Sequence, residues 1–139
     1  MKVTFDTNVV LDVLLAREPH LDAASQLFAL VDNGRIDGAI CATTVTTIFY
    51  IASKDFGRRR AREQVRALLG LFTVAAVDRE VLDGALAAEF ADYEDAVLHE
   101  AARAAGSTAI VTRDRDGFAE SSIPALSPPE LLAVVASAQ

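Results

Sequence analysis

The sequence has few cysteines and prolines and lacks tryptophan. Its 139 residues include one cysteine, Cys41, four prolines and no tryptophan. A single cysteine excludes a disulfide framework within the chain and a cysteine-rich zinc site. Because Cys41 follows the apolar pair Ala39-Ile40 in a predicted strand, we expect it to be an inert thiol in the core.

Long apolar runs, repeats and linkers are also missing. Every apolar stretch is far shorter than the roughly 18 residues that a membrane span requires, so we expect no membrane partner. The N-terminus lacks the pattern of a signal peptide, because Lys2 leads directly into a short apolar run and then Asp6, and we expect a cytoplasmic location. Without an internal repeat or a Gly/Ser linker, the length predicts a single domain over residues 1–139.

Basic residues are outnumbered, with 13 Lys and Arg against 20 Asp and Glu and a net charge of −7. Nucleic-acid-binding proteins usually carry a basic face, so the balance alone disfavours that class. The arginines are clustered, however, at positions Arg58, Arg59, Arg60, Arg62 and Arg66. A basic helix on an acidic protein can follow a phosphate backbone, and it can equally be a solvated helix face.

Short apolar runs alternate with helical stripes along the whole chain. The runs predict strands at residues 2–5, 36–42, 73–77, 108–111 and 123–126. The segments between the first four strands have helical periodicity, and residues 112–118 are expected to form an Asp-rich loop. Pro19 is expected in the first turn of the second helix, where a missing N–H costs nothing. This alternation predicts an α/β fold with a mainly parallel central sheet that helices cover on both faces.

Two aspartates follow predicted strands at the point where each strand ends. Asp6 comes directly after residues 2–5, and Asp114 follows residues 108–111 by three positions. Because parallel strands end at the same edge of a sheet, both carboxylates are expected at the edge where open α/β sheets bind ligands. Taken singly, Asp6 could merely cap the following helix, and Asp114 could be a turn residue.

A third aspartate, Asp95, interrupts an apolar helical stripe that includes Leu98 and Ala102. Burying an unpaired carboxylate is costly, so Asp95 requires an arginine or a metal ion, unless it points to solvent at the start of the helix. Asp92 shares the same helix face three residues earlier, whereas Glu94 does not and is expected to be solvated. Three converging carboxylates predict a site for Mg²⁺ or Mn²⁺, since these ions prefer carboxylate and water oxygens.

Together, these motifs resemble those of the PIN domain, a metal-dependent ribonuclease fold found in toxin–antitoxin toxins of the VapC type. The matching segments are Asp6-Thr7-Asn8-Val9-Val10-Leu11-Asp12, Glu94-Asp95-Ala96, Ile110-Val111-Thr112-Arg113-Asp114 and the following Phe118. The resemblance spans nearly the whole chain. It implies an α/β/α sandwich in which Asp6, Asp95 and Asp114 are the catalytic, metal-binding carboxylates, and in which Thr7 and Asn8 support Asp6 by hydrogen bonding.

The resemblance also implies an RNA substrate, a homodimer and a small antitoxin partner. One departure is that the family commonly has a glutamate on the helix after the second strand, where this chain has Thr47. A hydroxyl is a poorer ligand than a carboxylate, and Asp92 or Asp116 could supply the missing charge. Four arginines are candidate RNA contacts, namely Arg58, Arg59, Arg62 and Arg113.

The first hypothesis is therefore a Mg²⁺- or Mn²⁺-dependent endoribonuclease, a hydrolase that acts on phosphodiester bonds. The second is a PIN-like module that binds RNA or protein without catalysis, for which Thr47 is the main support. A third is a phosphohydrolase with Asp6 as a covalent nucleophile, but Asn8 stands where such a site would need a second aspartate. No Ser-His-Asp order, Gly-rich phosphate loop or Cys/His zinc spacing is present.

Overall fold

Five short strands form one parallel sheet. They are β1 (Lys2–Phe5), β2 (Asp37–Cys41), β3 (Thr73–Ala75), β4 (Ala109–Val111) and β5 (Ala125–Leu126). Their order across the sheet is β3-β2-β1-β4-β5, and all four neighbouring pairs are parallel. The computed structural model describes residues 1–138, and Gln139, the last residue of the predicted domain, lies outside the described residues.

Helices cover both faces of the sheet, which confirms the predicted PIN-like α/β/α sandwich. Within residues 1–138 they are α1 (Thr7–Leu14), α2 (Leu21–Asp32), α3 (Ala42–Phe56), α4 (Arg58–Leu71), α5 (Arg79–Ala87), α6 (Tyr93–Ala104), α7 (Pro128–Ser137) and a 3₁₀ turn (Asp116–Phe118). Helices α1 to α4 and α7 contribute to one hydrophobic cluster. Helices α5 and α6 pack into a second cluster on the opposite face.

The two clusters follow from the alternation of side chains along the strands. In β4, Ala109 and Val111 belong to the first cluster, and Ile110 between them belongs to the second. Three phenylalanine rings pack against one another in the first cluster. The centroid distances among Phe5, Phe28 and Phe72 are 5.0 to 6.0 Å. Edge-to-face packing of this kind suits the ring quadrupoles.

Gly38 in β2 makes room for that aromatic group. A Cβ atom at this position would lie 2.9 Å from the Phe72 ring and 2.9 Å from Val31. Both neighbours are themselves buried in the first cluster, so a larger residue would displace packed side chains. The strand therefore contains glycine where the sheet and the ring approach most closely.

Several local boundaries differ from the sequence prediction, by one or two residues in β2, β4 and β5 and in three further places. Helix α2 begins at Leu21, and Pro19 lies in the preceding turn, because the N–H of His20 donates to the carbonyl of Arg17 at 3.0 Å and closes the turn first. Strand β3 ends at Ala75 rather than residue 77, at the edge of the sheet, where Thr73 and Val74 are exposed. Residues 116–118 form a 3₁₀ turn rather than a loop.

Other expectations concern the core thiol and the membrane. Cys41 is fully buried and unpaired, as expected, with its Sγ 3.2 Å from the hydroxyl of Thr43. Over residues 1–138, no helix combines the length and the apolar character needed to cross a membrane.

The strand order also locates a crevice at the carboxyl edge of the sheet. From the central strand β1, the chain builds outward through β2 and β3 on one side, and β4 and β5 lie on the other. Such a reversal of strand order opens a crevice beyond the strand ends, where ligands bind in open α/β sheets. The residues that leave β1 and β4 therefore face each other across this crevice.

Candidate functional site

Asp6 lies at the end of β1 and is held by three donors. Its Oδ1 accepts the backbone N–H of Thr7 at 2.8 Å, so it caps α1. Its Oδ2 accepts the hydroxyl of Thr112 at 2.8 Å and the amide of Asn8 at 3.2 Å. Burial raises the pKa of Asp6, and the hydrogen bonds from Thr112 and Thr7 oppose that rise. The carboxylate is thus both a helix cap and a fixed group at the crevice.

Thr112 joins two of the predicted site residues, a role that the sequence reasoning missed. Its buried hydroxyl donates to Asp6 and accepts the backbone N–H of Asp114 at 2.9 Å. The strand-end carboxylate of β1 and the loop after β4 are therefore connected through one side chain. A threonine directly after a buried strand was the available signal, because it faces the same sheet edge as Asp6.

Asp95 enters from the first turn of α6. Its backbone N–H donates to Asp92, the N-cap of this helix, at 2.9 Å. The side chain is half-buried. Burial first, and then the charges of Asp6, Asp92, Asp114 and Glu94, raise the pKa of Asp95 to about 7. The helix N-terminus contributes only about 0.3–1 kcal/mol in the opposite direction, so it does not offset this repulsion.

Gly117 shows how closely two of the carboxylates approach each other. A Cβ atom on Gly117 would lie 2.8 Å from Oδ2 of Asp114 and 2.8 Å from Oδ2 of Asp95. The backbone N–H of Gly117 also donates to the other oxygen of Asp114 at 3.2 Å. Glycine thus provides the concave backbone surface against which both carboxylate oxygens lie.

The donor set suits a hard divalent cation. Among residues 1–138, no group of three or more His, Cys, Asp or Glu side chains is disposed to hold a metal ion as it stands. Mg²⁺, however, usually takes only one or two protein carboxylates and completes its shell with water and substrate oxygens. The pair Asp95 and Asp114, with Asp6 on the same crevice, meets that requirement in both ligand type and charge.

These carboxylates line one cleft of about 260 Å³. The residues around it are Asp6, Thr7, Asn8, Leu11, Arg17, Thr43, Thr44, Thr47, Glu94, Asp95, Leu98 and Asp114. Of the residues predicted from the sequence, the structure brings together Asp6, Thr7, Asn8, Thr47, Asp95 and Asp114. It does not bring Asp92, Asp116 or the predicted RNA-binding arginines into the lining.

Glu94 is a cleft residue that the sequence reasoning treated as solvated. Its side chain is exposed, yet it borders the cleft and its charge contributes to the raised pKa of Asp95. The available signal was its spacing from Leu98, which lies four residues later on the same helix face and also lines the cleft.

The hydroxyl-bearing residues of α3 close the opposite wall. Thr44 is buried, and its hydroxyl lies 3.0 Å from that of Thr7. Thr47, which stands where the family glutamate is expected, donates to the carbonyl of Thr43 at 3.1 Å. That bond lies within the helix, so the Thr47 side chain borders the cleft without binding any of its carboxylates. The Thr7 hydroxyl likewise pairs with Thr44, and the backbone N–H of Thr7, not its hydroxyl, supports Asp6.

Two predicted supporting residues lie beside the cleft. Asp92 caps α6 through the N–H of Asp95, and Asp116 is exposed at the start of the 3₁₀ turn. Neither side chain lines the cleft. Their proposed contribution of charge to the metal site therefore stays a prediction. The charge of Asp92 does affect the site in one way, because it helps to raise the pKa of Asp95.

The predicted RNA-binding arginines fall into two groups. Arg58, Arg59 and Arg62 are exposed on α4. This helix begins just after the end of α3, and that end lies about 13 Å along the α3 axis from the cleft residue Thr47. Arg113 instead donates from Nε and Nη2 to buried Asp12 at 2.7 and 3.2 Å. Its RNA contact stays a prediction, and it would have to use the N–H groups that Asp12 leaves free, two on Nη1 and one on Nη2.

A family model described as a PIN domain matches residues 2–116. The chain belongs to the PIN domain family. The match includes Asp6, Asp95, Asp114 and the strands β1 to β4. None of the curated proteins compared with the chain matches it at a significant level.

Solved structures show the same PIN fold at low sequence identity. VapBC2 from Rickettsia felis, solved bound to a promoter DNA fragment, has a chain with a TM-score of 0.72 and 12% identity over 91% of this chain and 98% of that one. A toxin–antitoxin complex from Klebsiella pneumoniae gives a TM-score of 0.69 and 24% identity over 91% and 97% of the two chains. VapC20 from Mycobacterium tuberculosis, described as a toxin that cleaves the sarcin–ricin loop, gives 0.63 and 15% over 78% and 86%. This PIN domain thus shares its fold with VapC toxins.

Proposed function

We propose that this PIN domain is a Mg²⁺- or Mn²⁺-dependent endoribonuclease that hydrolyses RNA phosphodiester bonds. The observation that carries the proposal is the convergence of Asp6, Asp95 and Asp114 on one cleft at the carboxyl edge of the sheet. Without a cation such a cluster is unfavourable, because burial first and then the neighbouring carboxylates raise the pKa of Asp95. A fold that retains this arrangement is consistent with a cationic ligand.

Asp6, Asp95 and Asp114 would hold the ion. When bound, a divalent ion in such a site activates water for attack on phosphorus and stabilises the leaving oxygen. The chain's own part is to fix the ligands. Thr7, Asn8 and Thr112 hold Asp6 in place, and Gly117 orients Asp114 through its backbone N–H.

Asp95 adds a pH dependence to metal binding. With a pKa of about 7, this carboxyl is partly protonated at neutral pH in the metal-free protein. Since a ligand must be deprotonated, metal binding releases that proton, and affinity should rise between about pH 6 and pH 8. Burial also raises the pKa of Asp6, although the hydrogen bonds from Thr112 and Thr7 oppose that rise.

The proposed biological role is that of a toxin in a toxin–antitoxin pair, with a small antitoxin as partner. The support is the fold shared with chains from VapBC and other toxin–antitoxin complexes. A homodimer is proposed on the same ground. Co-expression with the product of an adjacent small gene, followed by light scattering of the purified complex, would test both assemblies. A monomer that captures no such product would argue against them.

The nuclease itself is tested by cleavage of a mixed pool of structured and single-stranded RNA with Mn²⁺, with Mg²⁺ and with EDTA. Asp95→Asn should reduce metal-dependent cleavage by about a hundredfold or more, because a bound ion supplies several kcal/mol of charge stabilisation. Asp32→Asn, an exposed carboxylate at the end of α2, is the matched control and should cleave like the wild type. Equal cleavage by all three proteins would overturn the proposal.

A second candidate is a non-catalytic PIN module that binds RNA or protein. Thr47 favours it, because the cleft has a hydroxyl where the family commonly has a glutamate. Calorimetry with Mn²⁺ separates the two candidates. A non-catalytic cleft should bind the ion no better than the Asp95→Asn variant, whereas the nuclease site should lose most of its affinity in that variant.

A further inference from the structure

Arg17 is the one cation among the residues that line the acidic cleft, as far as residues 1–138 are concerned. It lies in the connection between α1 and α2. Its backbone N–H donates to the carbonyl of Asp12 at 3.0 Å, and its carbonyl accepts the N–H of His20 at 3.0 Å. These hydrogen bonds fix the backbone of Arg17 at the end of α1. The residue is half-buried.

The guanidinium of Arg17 forms no ion pair with the residues that the structure describes. Within residues 1–138, none of its nitrogens comes within 4.0 Å of a carboxylate oxygen, although four acidic residues border the same cleft. An arginine whose purpose was to neutralise these carboxylates would pair with one of them. Five donors that are not paired with any of the neighbouring carboxylates indicate a different ligand.

The other arginines at this edge of the sheet are already engaged. Arg113 forms two hydrogen bonds with Asp12, and Arg115 binds Glu130 at 2.9 and 3.1 Å. Both arginines belong to the loop after β4 and thus flank the same crevice. Arg17 differs from them because none of its five donors is held by a carboxylate, so the whole guanidinium is available to a molecule that enters the cleft.

We propose that Arg17 holds a non-bridging phosphate oxygen of the bound RNA strand and so positions that strand over the carboxylates. The inference rests on the proposed nuclease function. An acidic cleft repels a polyanion, so the strand needs a fixed cation beside the metal ion. The planar fork of a guanidinium matches two phosphate oxygens at once, which a lysine cannot do. Arg17 is a positioning residue and takes no part in bond cleavage.

The test compares Arg17→Met with Arg35→Met, which removes an exposed arginine just before β2, at the opposite edge of the sheet. Arg17→Met should raise KM for a short single-stranded RNA by about tenfold, because a charge-assisted contact is lost. The kcat should change by less than about threefold, since the reacting groups stay in place. The salt dependence of binding should weaken by about 0.7 in slope, the value for one phosphate contact on a single strand.

Two further measurements separate this role from a structural one. Arg17→Lys should give an intermediate KM, because it keeps the charge and loses the fork. Calorimetry with Mn²⁺ alone should give the same affinity for wild type and Arg17→Met. A tighter Mn²⁺ affinity with an unchanged KM would show that Arg17 neutralises the carboxylates instead, and it would overturn the proposal. Thermal melting confirms that each variant is folded.

The outcome is also distinguishable from failure of the nuclease proposal. If the wild type shows no metal-dependent cleavage, RNA binding can still be measured by fluorescence anisotropy on Asp95→Asn with and without Arg17→Met. A weaker affinity and a smaller salt slope in the double variant would keep the phosphate contact. Equal affinities for the two proteins would overturn it, whatever the state of the nuclease.

Discussion

Arg113 and Asp12 form a two-point ion pair between the loop after β4 and the interior face of α1, at 2.7 and 3.2 Å. Asp12 is fully buried, and the Arg113 side chain is 29% exposed. The backbone N–H of Arg113 also donates to the side chain of Asn8 at 3.2 Å. Since Asp114 is the next residue, this pair helps to fix the loop that carries one of the proposed metal ligands.

Arg113→Met should therefore act mainly on stability. Removing one partner leaves the carboxylate of Asp12 buried and unpaired, and we expect the free energy of unfolding to fall by about 3 kcal/mol. Arg115→Met is the control, because the pair of Arg115 with Glu130 is exposed to solvent and should contribute far less to stability than the Arg113–Asp12 pair. Urea unfolding in EDTA measures both. Equal losses in the two variants would contradict a special role for the Arg113–Asp12 pair.

The sequence predicted the parts of the site that obey simple periodicities. Asp6 and Asp114 were placed by the rule that parallel strands end at one edge, and the strand order with β1 beside β4 explains why the rule succeeded. Asp95 was placed because it interrupts an apolar helical stripe. In each case the position relative to a strand end or a helix face was sufficient.

Three of the missed residues were missed for different physical reasons. Arg17 sits in a connection whose path depends on its hydrogen bonds to Asp12 and His20, and the sequence does not specify that path. Asp12 appeared only as the last residue of the first PIN-like segment, and its ion pair was missed because Arg113 is 101 residues away in sequence. Glu94 is exposed, so no burial argument selected it.

Asp95 should make the stability of the metal-free protein fall as the pH rises. Its pKa is about 7 in the folded state, against an ordinary value of 3.8. A raised folded-state pKa favours folding fully below about pH 3.8, and this contribution is lost as the pH rises towards 7, because the folded state binds the proton that the unfolded state has released. At pH 8 the wild type therefore bears the full repulsion among its ionised carboxylates.

Asp95→Asn removes this effect, so the metal-free variant should be more stable than the wild type at pH 8. Its advantage over the wild type should be smaller at pH 5. We expect a gain of about 1–2 kcal/mol at pH 8, after allowance for solvent screening of a half-buried group. Urea unfolding in EDTA at the two pH values measures it. Adding Mn²⁺ should stabilise the wild type more than the variant. A difference that is the same at pH 5 and pH 8 would contradict the raised pKa.

Gly117→Ala tests whether the concave backbone beside Asp95 and Asp114 matters. The added Cβ would lie 2.8 Å from an oxygen of each carboxylate, and the flexible ends of both side chains would have to move. We expect a small change in the free energy of unfolding, below about 1 kcal/mol. Mn²⁺ affinity should fall by about tenfold, because ligand geometry is displaced. Gly70→Ala is the control, since a Cβ there meets no atom within 4 Å, and it should leave Mn²⁺ affinity unchanged.

Thr47→Glu asks whether the cleft accepts the glutamate that the family commonly has at this place. Thr47 borders the cleft, and its hydroxyl bonds only the Thr43 carbonyl within α3. A carboxylate here should raise Mn²⁺ affinity by about tenfold, since added ligand charge strengthens binding of hard cations. It should also lower the stability of the metal-free protein at pH 8, because it adds to the repulsion around Asp95.

Thr46→Glu is a closely matched control for that change. Thr46 is the preceding residue of α3, and its hydroxyl makes the same kind of bond to the Thr43 carbonyl at 2.9 Å, but it is exposed and lies outside the cleft. Calorimetry should therefore show tighter Mn²⁺ binding for Thr47→Glu only. If both variants, or neither, gain affinity, position 47 does not face the ion, and the metal would then have to be held by the Asp95 and Asp114 side of the cleft alone.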